Sequence, residues 1–307
     1  MLKGRRVVVT GGAGFIGSHL VDALGEENDV VVFDDFSTGR MENLLGARGH
    51  RIVHGSVTRP AQLRLAFRGA EVVFYLAARP SVPGSVLDPR GSARVNLDGT
   101  LNVLVAARDA GVGKVVFSSS CAVYGDAPPP VKETALPRPK SPYAVQKLAG
   151  EHYCANFQEL FGLRTVSLRY FNVFGPRQDP GSQYAAVVPV FFRCLLDAGA
   201  VTIFGDGRQT RDFIFVDDAV SANLLAAESS AADGRVLNIA TGRGTSVNRL
   251  AETVSRLAKR PLRVIRAPAR TGDIRNSSAD ISSARRLLHF RPQTSLAEGL
   301  RISFSAI

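Results

Sequence analysis

Short apolar runs alternate with stretches of helical periodicity through the first half of the chain. Arg5-Arg6-Val7-Val8-Val9-Thr10 is an unbroken apolar run behind two charges, too short for a buried helix, and predicts a strand covered on both faces. Val30 to Phe33, Arg51 to Val53, Val72 to Leu76, Lys114 to Phe117 and Thr165 to Arg169 repeat that pattern. Between them Phe15 to Leu24, Ala61 to Phe67, Arg94 to Ala110 and Tyr143 to Phe161 place apolar residues at helical spacing. Such alternation predicts an α/β fold, a doubly wound parallel sheet of Rossmann type with helices on both faces. From Phe174 onward the rhythm breaks at Gly175-Pro176-Arg177-Gln178-Asp179-Pro180-Gly181, where a smaller α/β region is expected to begin. Arg235 to Ala240 reads as one more buried strand that returns to the sheet. The expected division is therefore 1–172 for the larger domain, with 213–242 returning to it, and 173–212 with 243–307 for a smaller substrate-binding region.

The turn after the first strand is Thr10-Gly11-Gly12-Ala13-Gly14-Phe15-Ile16-Gly17. Glycines at 11, 14 and 17 permit a tight turn, close approach of backbone N–H groups to a pyrophosphate and close packing of helix on strand. The following strand ends in Asp34-Asp35, and a carboxylate about 20 residues beyond the glycine run is placed to hold an adenosine ribose 2′-hydroxyl. A 2′-phosphate would be repelled there, so the pattern favours NAD over NADP. The order strand, turn, helix, strand, Asp carries this reading, since a glycine turn alone is common.

Two further pieces fall where chemistry belongs in such a sheet, just beyond the carboxyl ends of strands. Lys114 to Phe117 runs into Ser118-Ser119-Ser120-Cys121-Ala122-Val123-Tyr124-Gly125, which offers a hydroxyl to a substrate oxygen. After Pro142, Tyr143 and Lys147 are four residues apart and share one helix face. A free phenol is a poor base at neutral pH, but an ammonium and a positive nicotinamide ring beside it would both favour the phenolate. Lowering its pKa by about three units needs about 4 kcal/mol of differential interaction. A Tyr four residues before a Lys occurs on many amphipathic helices; beside the glycine turn the pair describes a redox site.

Composition narrows the classes. A chain of 307 residues with 45% apolar content suffices for one large or two coupled domains. No stretch is apolar enough to span a membrane, and the apolar run after Lys3, Arg5 and Arg6 is too short for a secretory leader. Cys121, Cys154 and Cys194 are scattered, without metal-ligand spacing or a pairing scheme, so neither zinc nor disulfides are expected and a cytoplasmic setting is. The net charge of +11 comes from dispersed arginines rather than a basic block with aromatics. It points to an anionic small substrate, not to nucleic acid.

TGGAGFIGSHL, SSSCAVYG, YAVQK, LRYFNVFGPRQDP and GDGRQTRDFIFVDD resemble the extended short-chain dehydrogenase/reductase family, specifically its nucleotide-sugar 4-epimerases, from residue 7 to about residue 300. The resemblance implies NAD held through turnover and a UDP-sugar gripped by the smaller region. It makes Tyr143 the acid/base, Ser120 the hydrogen-bonding partner of the substrate oxygen and Lys147 a bridge to the nicotinamide ribose. To the cofactor it assigns Gly11, Gly14, Phe15, Ile16, Gly17, Asp34, Asp35, Ser37, Thr38, Gly39, Ser56, Val57, Leu76, Ala77, Ala78, Asn96, Ser118 and Tyr170, with Tyr143 and Lys147. On the substrate side it assigns Ser81, Ser120, Tyr143, Asn172, Val187, Phe204, Arg211, Arg270, Asp273 and Ser277. Arg211 and Arg270 match diphosphate positions, Asp273 a uridine-ribose position, and Phe204 lies along the uracil. A homodimer through helices 94–110 and 143–161 is implied by the same analogy.

Finer marks separate relatives. Ser277 stands where epimerases restricted to non-acetylated sugars resemble one another in carrying a bulky tyrosine, which makes UDP-GlcNAc/UDP-GalNAc the first expected substrate and UDP-Glc/UDP-Gal the second. Relatives acting on UDP-glucuronate usually place Thr at Asn172. Ser56 replaces a common Asp near the adenine. Cys121-Ala122 replaces the Asp-Glu pair of sugar dehydratases; alanine does no proton chemistry and a thiol is a weak acid, so dehydration is disfavoured and Cys121 is expected to be a buried structural residue. A non-catalytic NAD-binding regulator would be expected to have lost Tyr143 or Lys147. A dehydrogenase exchanging cofactor with solution remains a rival.

Overall fold

The computed structural model describes residues 2–179, 187–197, 199–269 and 274–306. In chain order the strands are β1 (Arg6–Thr10), β2 (Asp29–Asp34), β3 (His50–His54), β4 (Val72–Tyr75), β5 (Lys114–Ser120), β6 (Arg164–Tyr170), β7 (Asn172–Phe174), β8 (Ala200–Phe204), β9 (Thr210–Phe215), β10 (Val236–Ile239), β11 (Gly244–Ser246) and β12 (Arg263–Ala267). The helices are α1 (Phe15–Leu24), α2 (Pro60–Ala66), α3 (Val82–Leu87), α4 (Pro89–Ala93), α5 (Gly99–Asp109), α6 (Pro142–Phe161), α7 (Val187–Leu196), α8 (Val216–Glu228), α9 (Val247–Ala258), α10 (Ser282–Leu288) and α11 (Leu296–Ser305).

Seven parallel strands form the main sheet in the order β10-β6-β5-β4-β1-β2-β3, the Rossmann arrangement expected from the strand-helix alternation. The inner strands β1, β2 and β4 are apolar on both faces because each face meets helices, whereas the edge strand β3 is largely exposed. In β1, Val7 and Val9 join Leu20, Val21, Val220 and Ala222 on one side, while Val8 joins Leu63, Val103, Leu104 and Phe157 on the other. A third core, built on Phe174, Phe191, Phe192, Val201, Ile203, Phe213, Phe215 and Leu250, holds the smaller unit. There β11, β9 and β7 pair as one sheet and β12 and β8 as another. β9 is the seam, because Ile214 enters a main-sheet core while Phe213 and Phe215 enter the smaller one. Among the described residues no helix is long and apolar enough to cross a membrane.

Three expectations are corrected. The serine run is not a loop: β5 continues to Ser120, which pairs with Tyr170, since β6 offers a ladder past the end of β4 that the small hydroxyls do not disturb. Helix 94–110 is broken, with a π turn over Arg94–Asp98 before α5. Within 243–307, α10 belongs with the larger unit, because Ala284, Leu288 and Phe290 bury their apolar surface in the main-sheet core.

Candidate active site

Gly11 has φ +69°, and a Cβ there would sit 2.7 Å from the amide nitrogen of Ala77; at Gly17 a Cβ would come within 2.1 Å of the Gly11 carbonyl oxygen. Both positions admit only hydrogen, and α1 is thereby pressed onto the turn. α1 starts with no side-chain cap and no acidic residue in its first turn. The amides of Phe15, Ile16 and Gly17 therefore face outward from the positive end of the helix without intrahelical partners. That cradle fits a dinucleotide pyrophosphate.

Asp34, at the end of β2, is buried, and its two carboxylate oxygens accept from the amides of Ala13 (2.9 Å) and Phe36 (2.8 Å). Burial raises its pKa, with those two amides opposing. The carboxylate thus ties the glycine turn to β2, and its remaining lone pairs face the ribose position. Gly39 packs within 2.9 Å of Asp34 Oδ1 when given a Cβ, so the 36–39 segment closes tightly over it. Asp35 is exposed beside Ser37 and Thr38, accepting from the Ser37 amide (3.1 Å) and from Ser56 Oγ (3.0 Å). Val57 is buried. Leu76, Ala77 and Ala78 are half-buried beyond β4, with the Leu76 amide donating to the Thr10 carbonyl (3.1 Å).

Tyr143, Lys147 and Ser120 converge. α6 begins with Pro142 behind Ser141, whose hydroxyl accepts from the Ala144 amide, and the Tyr143 amide donates to Ser85 Oγ (3.1 Å). The Tyr143 phenol hydrogen-bonds the Ser120 side chain. Lys147 Nζ donates to the Ser118 carbonyl (2.7 Å), 5.0 Å from the centroid of the Phe117 ring and 5.9 Å from that of Tyr143. The chain's own groups do not supply the lowered phenol pKa expected above. Burial pushes Tyr143 up to about 12, and it pulls Lys147 down to about 8. Cys121 is half-buried, and burial pushes its thiol up to about 11, leaving it protonated beside the site.

Asn96 is held by the protein's own groups. It is buried in the π turn, its Oδ1 accepts from the Arg79 amide (2.8 Å), and its Nδ2 donates to the Arg79 carbonyl (3.0 Å), Gln146 Oε1 (2.9 Å) and Ser92 Oγ (3.2 Å). Its hydrogen-bonding capacity is spent on fixing the 76–81 segment. Tyr170 is similar: its hydroxyl donates to Asn223 Oδ1 (2.9 Å) inside the core. Ser81 caps α3 by accepting from the Gly84 amide. Residues not foreseen are Gln146, next to Lys147, and Glu151, one turn beyond it on the same face. A polar residue that helical spacing buries beside Tyr143 and Lys147 was the available signal.

On the substrate side, a cleft of about 290 Å³ is lined by Asn172, Val187, Phe204 and Arg211 together with Gln209 and Phe213. Arg211 Nη1 donates to the Thr210 carbonyl (2.8 Å), and its charge acts on the Cys121 thiol, opposing the rise that burial causes. Ser277 is not among the lining residues; its amide donates to the Thr210 carbonyl (3.1 Å), one residue from Arg211. Arg270 and Asp273 lie outside the described residues. A larger cleft, about 720 Å³, is lined by Arg243, Arg285 and Arg291 and shares only Phe213 with the first. Size alone does not mark the reactive site.

Comparison with known proteins agrees with this geometry. The UDP-glucose 4-epimerase of Mycolicibacterium smegmatis is 43% identical over 303 residues, covering 96% of each chain. The structure of the UDP-N-acetylglucosamine 4-epimerase of Methanobrevibacter ruminantium M1, in complex with UDP-N-acetylmuramic acid, superposes with a TM-score of 0.96 at 43% identity, covering 99% of this chain and 98% of that one. The UDP-glucose 4-epimerase of Thermotoga maritima with UDP-glucose gives 0.94 at 41% identity, covering 98% of both. A family model matches residues 7–240, a span that takes in the glycine turn, β5 and the Tyr143–Lys147 face of α6. By that match and those relatives, the chain belongs to the NAD dependent epimerase/dehydratase family.

Proposed function

We propose that this protein is a UDP-sugar 4-epimerase, acting first on UDP-GlcNAc/UDP-GalNAc and second on UDP-Glc/UDP-Gal. The observation that carries the reading is the convergence of Tyr143, Ser120 and Lys147 where α6 meets the end of β5, in a chain whose substrate side holds a cleft lined by Arg211 and Asn172. NAD supplies a reversible hydride acceptor for C4 of the sugar. Tyr143 takes the proton of the 4-hydroxyl and returns it after the 4-keto sugar has turned its other face. Ser120 holds the C4 oxygen, where a positioned donor stabilises developing charge. Arg211, with Arg270, offers forked N–H groups to the diphosphate. Gly11, Gly14 and Gly17, the α1 amides and Asp34 hold the dinucleotide.

The preference for an acetamido sugar rests on the small Ser277 beside Thr210. A homodimer is supported by Leu101 on α5 and Val145, Leu160 and Phe161 on α6, all exposed apolar side chains along neighbouring helices. Dehydration is disfavoured because Cys121 stays protonated and Ala122 has no acid/base group.

The test is incubation of purified protein with UDP-GlcNAc and no added cofactor, followed by separation of nucleotide sugars. UDP-GalNAc is the expected product. A 4-keto-6-deoxy sugar, or turnover only with added NAD and net NADH formation, refutes the reading.

A further inference from the structure

Three consecutive serines of β5 hold three residues of α6 spaced four apart. The Ser120 side chain hydrogen-bonds Tyr143, the Ser118 carbonyl accepts from Lys147 Nζ, and Ser119 Oγ donates to Glu151 Oε1. Tyr143, Lys147 and Glu151 are all buried and lie on one face of the helix. Glu151 is in turn gripped by Arg169 of the next strand, Nε to Oε1 at 2.8 Å and Nη2 to Oε2 at 2.6 Å, and Arg169 is the register partner of Ser119. The guanidinium rests 4.5 Å over the ring of Tyr124, whose hydroxyl donates to Asn238 on β10. The chain of contacts thus crosses β5, β6 and β10 behind the reactive pair.

A buried ion pair is weak evidence for stability, because desolvating two charges offsets their attraction. Two packed apolar side chains would fill the same space without that cost. What the carboxylate does, and apolar residues would not, is place a fixed negative charge one helical turn from Lys147. On α6 the groups facing Lys147 are Tyr143, Glu151 and the Cys154 thiol, which burial pushes up to about 12. β5 presents the Ser118 carbonyl and the Phe117 ring, β6 presents Arg169 behind Glu151, and the π turn presents the uncharged Asn96 through Gln146. Among the described residues, Glu151 is the carboxylate whose charge acts on Lys147.

We propose that Glu151 is a positioning residue: clamped between Ser119 and Arg169, it fixes the register of α6 on β5 and holds a carboxylate one helical turn from Lys147. The proposal rests on the epimerase reading for its kinetic readout and on the fold alone for its spectroscopic one. The sign follows from the charge. Burial drives Lys147 toward the neutral amine, and Glu151 opposes this. Removing the carboxylate therefore moves the Lys147 titration to lower pH, so that a smaller share of Lys147 is charged at neutral pH.

The experiment compares wild type, Glu151→Gln, and the double variant Glu151→Gln/Arg169→Met, which leaves no unpaired buried guanidinium if the single variant fails to fold. Lys147 is titrated by NMR in protein carrying 13Cε-lysine, its signal assigned by Lys147→Arg. In the folded variant the Lys147 midpoint should fall by about one unit or more. With UDP-GlcNAc, kcat should fall by about a hundredfold with KM little changed, the pattern of a misplaced catalytic pair rather than lost binding. A Lys147 midpoint that stays in place in a folded variant overturns the proposal whatever the rates do, and so does wild-type kcat in the double variant. Wild-type protein inert toward every UDP-sugar would refute the epimerase reading, and the titration would still decide the role of Glu151.

Discussion

Tyr143 is a base that its own protein holds as an acid. The phenol sits in a dry pocket, and burial favours the uncharged form more strongly than the Ser120 hydrogen bond opposes it. In the proposed reaction, positive charge arriving with a bound cofactor would supply what the chain's own groups do not, and the reactive phenolate would be confined to the loaded enzyme. Protein stripped of nucleotide should show no phenolate absorbance from Tyr143 below about pH 9, measured as a difference spectrum against Tyr143→Phe. Phenolate at neutral pH in that difference would contradict the assignment of burial as the dominant influence. The same variant should lose turnover by at least about a thousandfold while UDP-sugar binding stays measurable by calorimetry, since the hydroxyl takes part in proton transfer and little else. Near-normal activity would remove Tyr143 from the chemistry. Tyr143 and Lys147 were legible from their spacing once the glycine turn stood beside them, and Ser120 from the family resemblance. Glu151 was not, because a Glu on a long polar helix usually faces solvent, and only the packing of β6 against α6 buries it with Arg169.

At the scale of elements, the active site depends on how α6 and the π turn are joined. Gln146 Oε1 accepts from both Ser92 Oγ (2.8 Å) and Asn96 Nδ2 (2.9 Å), and Asn96 in turn fixes the backbone of Arg79. The extra residue of a π turn aims Asn96 into this network, a use of π geometry common at functional sites. Gln146→Ala leaves the buried Ser92 hydroxyl short of an acceptor and takes one of three from Asn96 Nδ2, and the expected loss is about 1–3 kcal/mol in urea unfolding, with weakened retention of NAD through gel filtration. An unchanged midpoint would mean that water takes over the acceptor's place. The sequence pattern predicted one continuous helix here, since apolar spacing is blind to a single inserted residue. It also ended β5 three residues early, because a serine run looks like a loop until β6 is known to pair with it.

Over the whole molecule, the site exists because β9 and the 175–179 segment hold the two units together. Ile214 and Phe215 bury on opposite sides of the seam, while Arg177 pairs with Asp22 (2.7 Å) and Arg40 with Asp179 (3.2 Å) across the entrance to the glycine turn. α5 and α6 present their apolar outer residues on the far side of the same chemistry, so dimerisation would brace the helix that carries Tyr143 and Lys147. Placing Glu at Val145 and at Leu160 should convert a dimer to a monomer in light scattering, because two charges per protomer would be desolvated at the contact. A wild-type protein that is already monomeric would remove the dimer from the proposal.

Local pattern by itself determined the α/β alternation, the glycine cradle, the carboxylate at the end of β2 and the Tyr143–Lys147 pair, because each is a relation between neighbours along the chain. Only the tertiary structure decided that Ser118 to Ser120 form strand, that α10 packs on the main sheet, that Asn96 turns inward, and that Glu151 and Arg169 meet behind Lys147. Those outcomes depend on which distant surfaces compete for each hydrogen bond and each apolar face. Such competition is settled by packing and leaves no signature in spacing.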